Sequence, residues 1–352
     1  MNKDKKTLVI LTPGFPENEG DSTCLPLQQN LIRAMIETDP QLSIIVLSFQ
    51  YPYFKKQYKW FETTVFSFDG RNKGGLTRLL LRRKISATLK KITRTNQMKG
   101  LLSFWCGECA LVGKRFADKH GLKHYCWVLG QDARKENKYV RRIKPKAGEL
   151  IALSDFIQNE FEKNHDTRPQ HLVPAAINPR QFQNASIKRD IDILGAGSLI
   201  PLKQYEIFLE IIAELKEQIP PVKAVLAGDG PEKKKLQDII GKYKLESNVI
   251  LAGKLPYPEL LQLMQRTKIF LHPSSYEGFS CVCLEAIFAG AQAVGFCKTM
   301  QRNIEHWHIV NSKEEMKQKA LNILQNPKSE YKRVPVFMIE NIAQKMLDLY
   351  ND

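Results

Sequence analysis

The sequence predicts an α/β protein made of two doubly wound parallel-sheet, Rossmann-like domains facing a cleft. Three observations carry that expectation. The chain has 352 residues, enough for two domains with full cores. Short apolar runs of strand character alternate with helical segments along most of its length. The alternation then restarts after a joint near residues 178–189. In such sheets ligands bind outside the carboxyl ends of the strands.

In the first half, residues 7–12 (TLVILT) read as a buried parallel strand. A loop from Pro13 to Gly20 follows, then a helix over about Thr23 to Glu37. Strands are expected at Ser43 to Phe49, Leu101 to Trp105 and His124 to Leu129, with a helix over Ala110 to His120 between the last two. Glu149 to Leu153 is another strand, and a helix begins near Asp155. In the second half, strands at Ile191 to Gly195, Lys223 to Ala227 and Val249 to Gly253 each precede a helix. Those helices cover about Tyr205 to Gln218, a stretch ending near Tyr243, and Pro258 to Gln265. Further helices are expected from Ser312 to about Leu324 and from Val336 to Tyr350.

The richest stretch runs from Leu271 to Phe296, LHPSSYEGFSCVCLEAIFAGAQAVGF. It reads as strand, loop, helix, strand. Ser280 is placed to cap the helix, whose amino end would face the loop with free N–H groups and a positive dipole end. Such an end suits a diphosphate. Glu277 lies just outside the helix. Glu285, eight positions on, lies inside it, where a carboxylate can accept two hydrogen bonds from the diol of a ribose.

These residues resemble the donor-site signature of retaining nucleotide-sugar glycosyltransferases of the GT-B fold, family 4 (group 1) type. The matching positions are Ser274, Ser275, Glu277, Gly278, Glu285, Ala286, Ala289 and Gly290. The resemblance implies donor binding by Glu285, Gly278, Phe279 and Ser280, with Glu277 on the donor sugar. Gly195 to Gln204 is similar to the family's diphosphate loop. Lys203 stands where the family has a lysine, and Ser198 stands where it has an arginine. Gly14 and Gly20 bracket the counterpart of its glycine-rich loop. Gly130-Gln131-Asp132 resembles its His-Gly-x-Asp element with Leu129 at the histidine position, which leaves Asp132 either facing the reacting sugar or capping a helix over Ala133 to Val140. The resemblance also implies an acceptor-side domain at 1–180, a donor domain at 181–333 and a C-terminal helix, 334–352, returning to the first domain.

Departures accompany the match: Ala175 and Ala176 replace the family's Asn-Gly hinge pair, and its Gly-Gly loop after the signature is missing. Glu277, Lys203 and Asp132 are the candidate catalytic residues. The expected reaction moves a sugar from a nucleoside diphosphate to a glycan or lipid-linked acceptor, in cell-surface polysaccharide synthesis. No cofactor and no metal are expected, since no Asp-x-Asp pair marks a metal site. The alternatives are a non-catalytic nucleotide- or glycan-binding member of the fold and a nucleotide-sugar epimerase. A dehydrogenase is excluded because Gly195-x-Gly197 lacks its third glycine at position 200, which is Ile.

Charge is uneven. Of the net +16, +14 belongs to residues 1–186. Residues 71–99 hold ten bases and no acid. Leu76, Leu79, Leu80, Ile85, Leu89 and Ile92 recur there at near-helical spacing. That pattern suits an anionic membrane surface, or a helix whose apolar side packs on its own domain. Nucleic acid is not expected, because no recognised motif accompanies the charge. No apolar run is long enough to span a bilayer, and the first residues do not read as a signal peptide. The expected location is cytoplasmic, peripheral on the inner face of the membrane. The seven scattered cysteines, including the Cys106/Cys109 pair, are expected to be reduced and structural.

Overall fold

The computed structural model describes residues 5–183 and 187–351. The joint expected near 178–189 lies partly outside these residues. The chain forms two compact units, Met1–Ala176 with Ile339–Asp352, and Ile177–Met338.

The first unit contains, in order, β1 (Lys6–Gly14), α1 (Pro26–Thr38), β2 (Leu42–Tyr51), β3 (Lys55–Trp60), β4 (Thr63–Phe68), α2 (Gly75–Thr95), β5 (Gln97–Phe104), α3 (Glu108–His120), β6 (His124–Val128), α4 (Lys138–Ile143), β7 (Leu150–Ala152), α5 (Asp155–His165) and β8 (His171–Leu172). Among the described residues its sheet has the order β3-β4-β2-β1-β5-β6-β7-β8. All pairings are parallel except β3 with β4. Leu8 to Leu11 are fully buried, as the central strand of a sheet covered on both faces requires. Ser154 caps α5 by accepting the Ile157 N–H.

The β3–β4 hairpin is not anticipated by the sequence reading. Its edge strand, KKQYKW, is basic and mostly exposed, so no apolar run announces it. The basic segment is a helix as expected, but its leucines divide. Leu81, Ile85, Leu89 and Ile92 are buried on the sheet, whereas Leu76, Leu79 and Leu80 are 80%, 46% and 50% exposed. Arg82 is not free either, since it pairs with Glu108 at 2.7 Å.

The second unit contains β9 (Ile191–Ala196), α6 (Tyr205–Gln218), β10 (Ala224–Ala227), α7 (Lys233–Lys242), β11 (Val249–Gly253), α8 (Tyr257–Gln265), β12 (Thr267–His272), α9 (Cys281–Phe288), β13 (Gln292–Gly295), β14 (Trp307–Ile309) and α10 (Lys313–Gln325). Its sheet is parallel, ordered β11-β10-β9-β12-β13-β14. Strand order reverses direction between β9 and β12, so the loops leaving these neighbours meet at the switch point where ligands bind. The core beneath gathers Ile193, Phe208, Ile212, Leu226, Leu271 and Val294.

A final helix, α11 (Ile339–Asp348), belongs to the first unit and packs against α1. Just beyond it, Tyr350 donates to the Leu101 carbonyl at 2.9 Å. Gly100 makes room for that ring, because a Cβ there would lie 2.6 Å from it.

Candidate active site

The loops after β9 and β12 build the site in the second unit. Three contacts bind them together: Ser274 Oγ, Ser275 N–H and Ser275 Oγ all donate to the Leu202 carbonyl, at 3.2, 3.0 and 3.1 Å. This fixes Lys203 beside Glu277. The Lys203 ammonium donates to Glu277 Oε1 at 2.5 Å. His272, the buried last residue of β12, donates to the same oxygen from Nε2 at 2.8 Å. One carboxylate oxygen therefore takes two donors.

The electrostatics follow from burial and these two partners. Burial pushes the Glu277 carboxyl up, but the His272 hydrogen bond and the Lys203 charge outweigh it and hold the group at about 2. Burial pushes His272 below its usual value, against the pull of Glu277. At neutral pH His272 is then the uncharged Nε2–H tautomer, and its buried Nδ1 has no partner among the described residues. Sequence reasoning missed His272, although its position at the end of an apolar strand, five residues before Glu277, was the available signal.

Glu285 sits in α9 and is 5% exposed. Tyr257, at the start of α8, donates to its Oε1 at 2.6 Å. Burial raises the Glu285 carboxyl to about 7, and the tyrosine only partly offsets this. Tyr257 was also missed, because the α8–α9 contact that brings it close is not visible along the sequence.

The remaining positions are placed as follows. Ser280 stands at the α9 cap position, but its hydroxyl makes no cap bond and is buried without a partner among the described residues. The Cys281 N–H turns back to the Phe279 carbonyl at 2.7 Å. Gly278 is buried. Phe279 is buried too and packs edge-on to Phe337. Ser198 is exposed in the loop after β9. That loop is held by close backbone packing. A Cβ on Gly228 would lie 1.9 Å from the Gly197 carbonyl oxygen, and one on Gly230 would lie 2.4 Å from that of Leu199. The Gly-Asp-Gly-Pro turn thus has a geometric reason for its glycines.

Gly14, Gly20 and Asp132 lie in the first unit. Gly14 ends β1, and neither its φ nor its neighbours demand glycine. Gly20 is exposed and donates to Asn18 Oδ1. Asp132 is buried in a 3-10 turn and does not cap a helix over 133–140, because α4 begins at Lys138 and its cap is Asn137. Its carboxylate accepts the N–H groups of Cys106, Leu129 and Gly130 at 2.7, 3.1 and 2.7 Å. Burial nonetheless raises it above the usual carboxylate value. Among the described residues none of the seven cysteines forms a disulfide. Glu305, His306 and Glu330 bring three potential metal ligands together, but Lys332 bridges both carboxylates at 2.9 and 3.1 Å.

Residues 177–334 match the family model described as glycosyl transferases group 1. The phosphatidylinositol N-acetylglucosaminyltransferase gpi3 subunit of Schizosaccharomyces pombe is 26% identical over 202 residues, which cover 55% of this chain and 44% of that protein. The chain spans less than half the length of the curated relatives it matches. Among solved structures, TarM aligns over 99% of both chains with TM-score 0.71 at 13% identity. Anabaena HepE, solved with UDP and glucose, aligns over 97% and 98% with TM-score 0.68 at 16% identity. The architecture is therefore that of the GT-B glycosyltransferases. Within that class, the second unit is similar to the group 1 glycosyl transferases.

Proposed function

We propose that this protein is a retaining glycosyltransferase that moves a sugar from a uridine diphosphate donor to a glycan or lipid-linked acceptor in the synthesis of a surface polymer. The observation that carries this reading is the switch-point pair: Glu277 clamped by Lys203 and His272, with Glu285 eight residues on. Glu285 binds the ribose diol. The free oxygen of Glu277 holds donor-sugar hydroxyls. Lys203 exchanges Glu277 for the leaving diphosphate, whose charge grows as the glycosidic bond breaks. Uridine is favoured because HepE was crystallised with UDP. N-acetylglucosamine is the first donor sugar to try, since several relatives are named for its transfer. No metal is assigned a role.

The test is thermal unfolding with UDP, GDP, ADP and TDP. A nucleotide at about a hundred times its Kd stabilises the folded state by ~2.7 kcal/mol. UDP is expected to raise the midpoint of the wild type and to leave Glu285→Ala unmoved. Affinity should also depend on pH. The folded Glu285 value of about 7 lies above the ~4.3 of an unfolded glutamate, so its ionisation works against folding as pH rises through that window. The diol needs the ionised form, so UDP binding should strengthen as pH rises through 7, and in Glu285→Gln it should not. A UDP shift retained in Glu285→Ala, or none with any nucleotide, would favour the non-catalytic reading that the exposed Ser198 suggests.

Membrane docking belongs to the same reading. Among the described residues no helix is long and apolar enough to cross a membrane. The first turns of α2 expose three leucines, and Arg83 and Lys84 follow on its exposed side. Apolar tips with a basic stem suit insertion at an anionic bilayer surface. Replacing Leu76, Leu79 and Leu80 by serine should release the protein from phosphatidylglycerol vesicles in a sedimentation assay without lowering its melting temperature. Equal sedimentation would remove the docking surface.

A further inference from the structure

One cavity of the first unit lies away from every residue discussed above as a donor or sugar contact. It measures about 760 Å³ and opens between the last turns of α2 and the amino ends of the strands. That volume is within the ~300–1,000 Å³ usual for small-ligand sites. Its position is unusual, because Thr7, Ser43 and Thr64 are each the second residue of their strand. The cavity therefore sits at the end of the sheet opposite to the one where GT-B donors and acceptors are expected.

Its floor is polar where a helix-covered sheet face should be apolar. Further along the same face Val9, Leu11, Leu47 and Phe49 pack beneath α2. At the amino ends the cross-strand row changes character: Thr7 pairs with Ser43, Ile45 with Thr64, and Thr64 with Lys59. From the helix side Thr88 and Thr95 add hydroxyls.

Four cations, Lys5, Lys59, Lys91 and Arg94, line the space, and no acid does. None of them forms an ion pair among the described residues; Lys59 has only a long contact, 3.4 Å, with the Glu62 carbonyl. Elsewhere on the chain, Lys114, Lys313, Lys317 and Lys332 each reach two carboxylates. Four like charges around a cavity repel one another, and the carboxyl end of α2 adds no positive dipole to explain an anion by itself. Several cations with hydroxyl donors between them match a phosphate group, which takes charge-assisted hydrogen bonds on every oxygen.

We infer that this groove binds a phosphate-bearing ligand at a second site, independent of nucleotide binding. The phosphate has two sources, a soluble phosphorylated molecule or a lipid headgroup, and the experiment separates them. The intact protein is titrated calorimetrically with inorganic pyrophosphate and, in parallel, sedimented with phosphatidylcholine vesicles containing phosphatidic acid. The double variant Lys59→Ser/Arg94→Ser is compared with Arg115→Ser/Lys119→Ser, which removes equal charge from exposed positions of α3, outside both the groove and the exposed side of α2. Melting temperatures establish that both variants fold.

The groove variant is expected to lose affinity by about tenfold per cation, and the control by much less. Loss with pyrophosphate identifies a soluble ligand, and loss with vesicles alone identifies a headgroup. Equal losses in both variants would mean general charge attraction and would overturn the inference. So would pyrophosphate binding that survives in the groove variant but falls in Lys203→Ala, or no binding of either probe.

Discussion

Glu277→Gln is expected to lower sugar transfer by about a hundred- to a thousandfold, the usual loss on removing one preorganised electrostatic group, while UDP binds at least as tightly as before. The two halves of that result have different causes. In the empty site Oε1 of Glu277 accepts from both Lys203 and His272. The charge of the carboxylate balances the buried ammonium, and their side chains are only 12% and 18% exposed. A glutamine keeps the shape but not the charge, and its amide cannot serve both donors and the donor sugar as well. Lys203 is then left seeking an anion, and the diphosphate of UDP is the best one available. Binding of the nucleotide is therefore retained, whereas positioning of the sugar is lost. The measurement is turnover of UDP-N-acetylglucosamine, by transfer or by slow hydrolysis, set beside calorimetric UDP affinity. Turnover within about tenfold of wild type would show that Glu277 does not touch the reacting sugar.

Removing the side chain altogether is a harsher change. Breaking one partner of a buried pair costs ~3–5 kcal/mol, because the remaining charge stays buried. Glu277→Ala would therefore confuse instability with lost chemistry. With Glu277 held at about 2, the pair's contribution is present above the ~4.3 of an unfolded glutamate and is lost only as pH falls toward that folded value.

The residues legible in the sequence share one property: their role is written locally. Parallel strands buried on both faces appear as apolar runs, which is why β1, β9 and β12 stand out. Glu277, Glu285 and their glycine and serine neighbours lie within one strand–loop–helix segment. What was not legible depends on which strands become neighbours. Tyr257 reaches Glu285 across 28 positions and Lys203 reaches Glu277 across 74. The division of the α2 leucines between buried and exposed was hidden for a different reason. A periodic pattern over 21 residues merges two faces into one, and only the length of the sheet beneath the helix decides which leucines are covered. Of the two readings of Asp132 only the helix cap is not met, because a 3-10 turn and a helix start share the same preference for an acid.

The glycine-rich turn after β10 makes the other large prediction. Gly228 has φ +150, a conformation that side chains rarely adopt, and a Cβ there would lie 1.9 Å from the Gly197 carbonyl oxygen. That oxygen is backbone, so no rotamer change can relieve the overlap. The Gly228 N–H is also bonded to the Gly253 carbonyl at 2.7 Å, which limits retreat in the other direction. Gly228→Ala should therefore cost ~4 kcal/mol or more, the range reserved for backbone conflict and buried-charge defects. At ~2–4 °C per kcal/mol for a domain of this size, the midpoint should fall by roughly ten degrees. The consequence extends to the site. Gly197 begins the loop that carries Ser198 and Lys203, and Leu199 is held to the same turn through the Asp229 carbonyl at 3.0 Å. Any protein that still folds should have lost its UDP shift, because Lys203 no longer stands beside Glu277. Gly241→Ala is the matched control: it lies in α7, its φ is ordinary, and the nearest atom to an added Cβ is 3.9 Å away at the end of the Glu246 side chain. That variant should be neutral or more stable by up to ~0.5 kcal/mol. If Gly228→Ala instead melts with Gly241→Ala and keeps its UDP response, the turn does not hold the diphosphate loop, and the placement of Lys203 needs another cause.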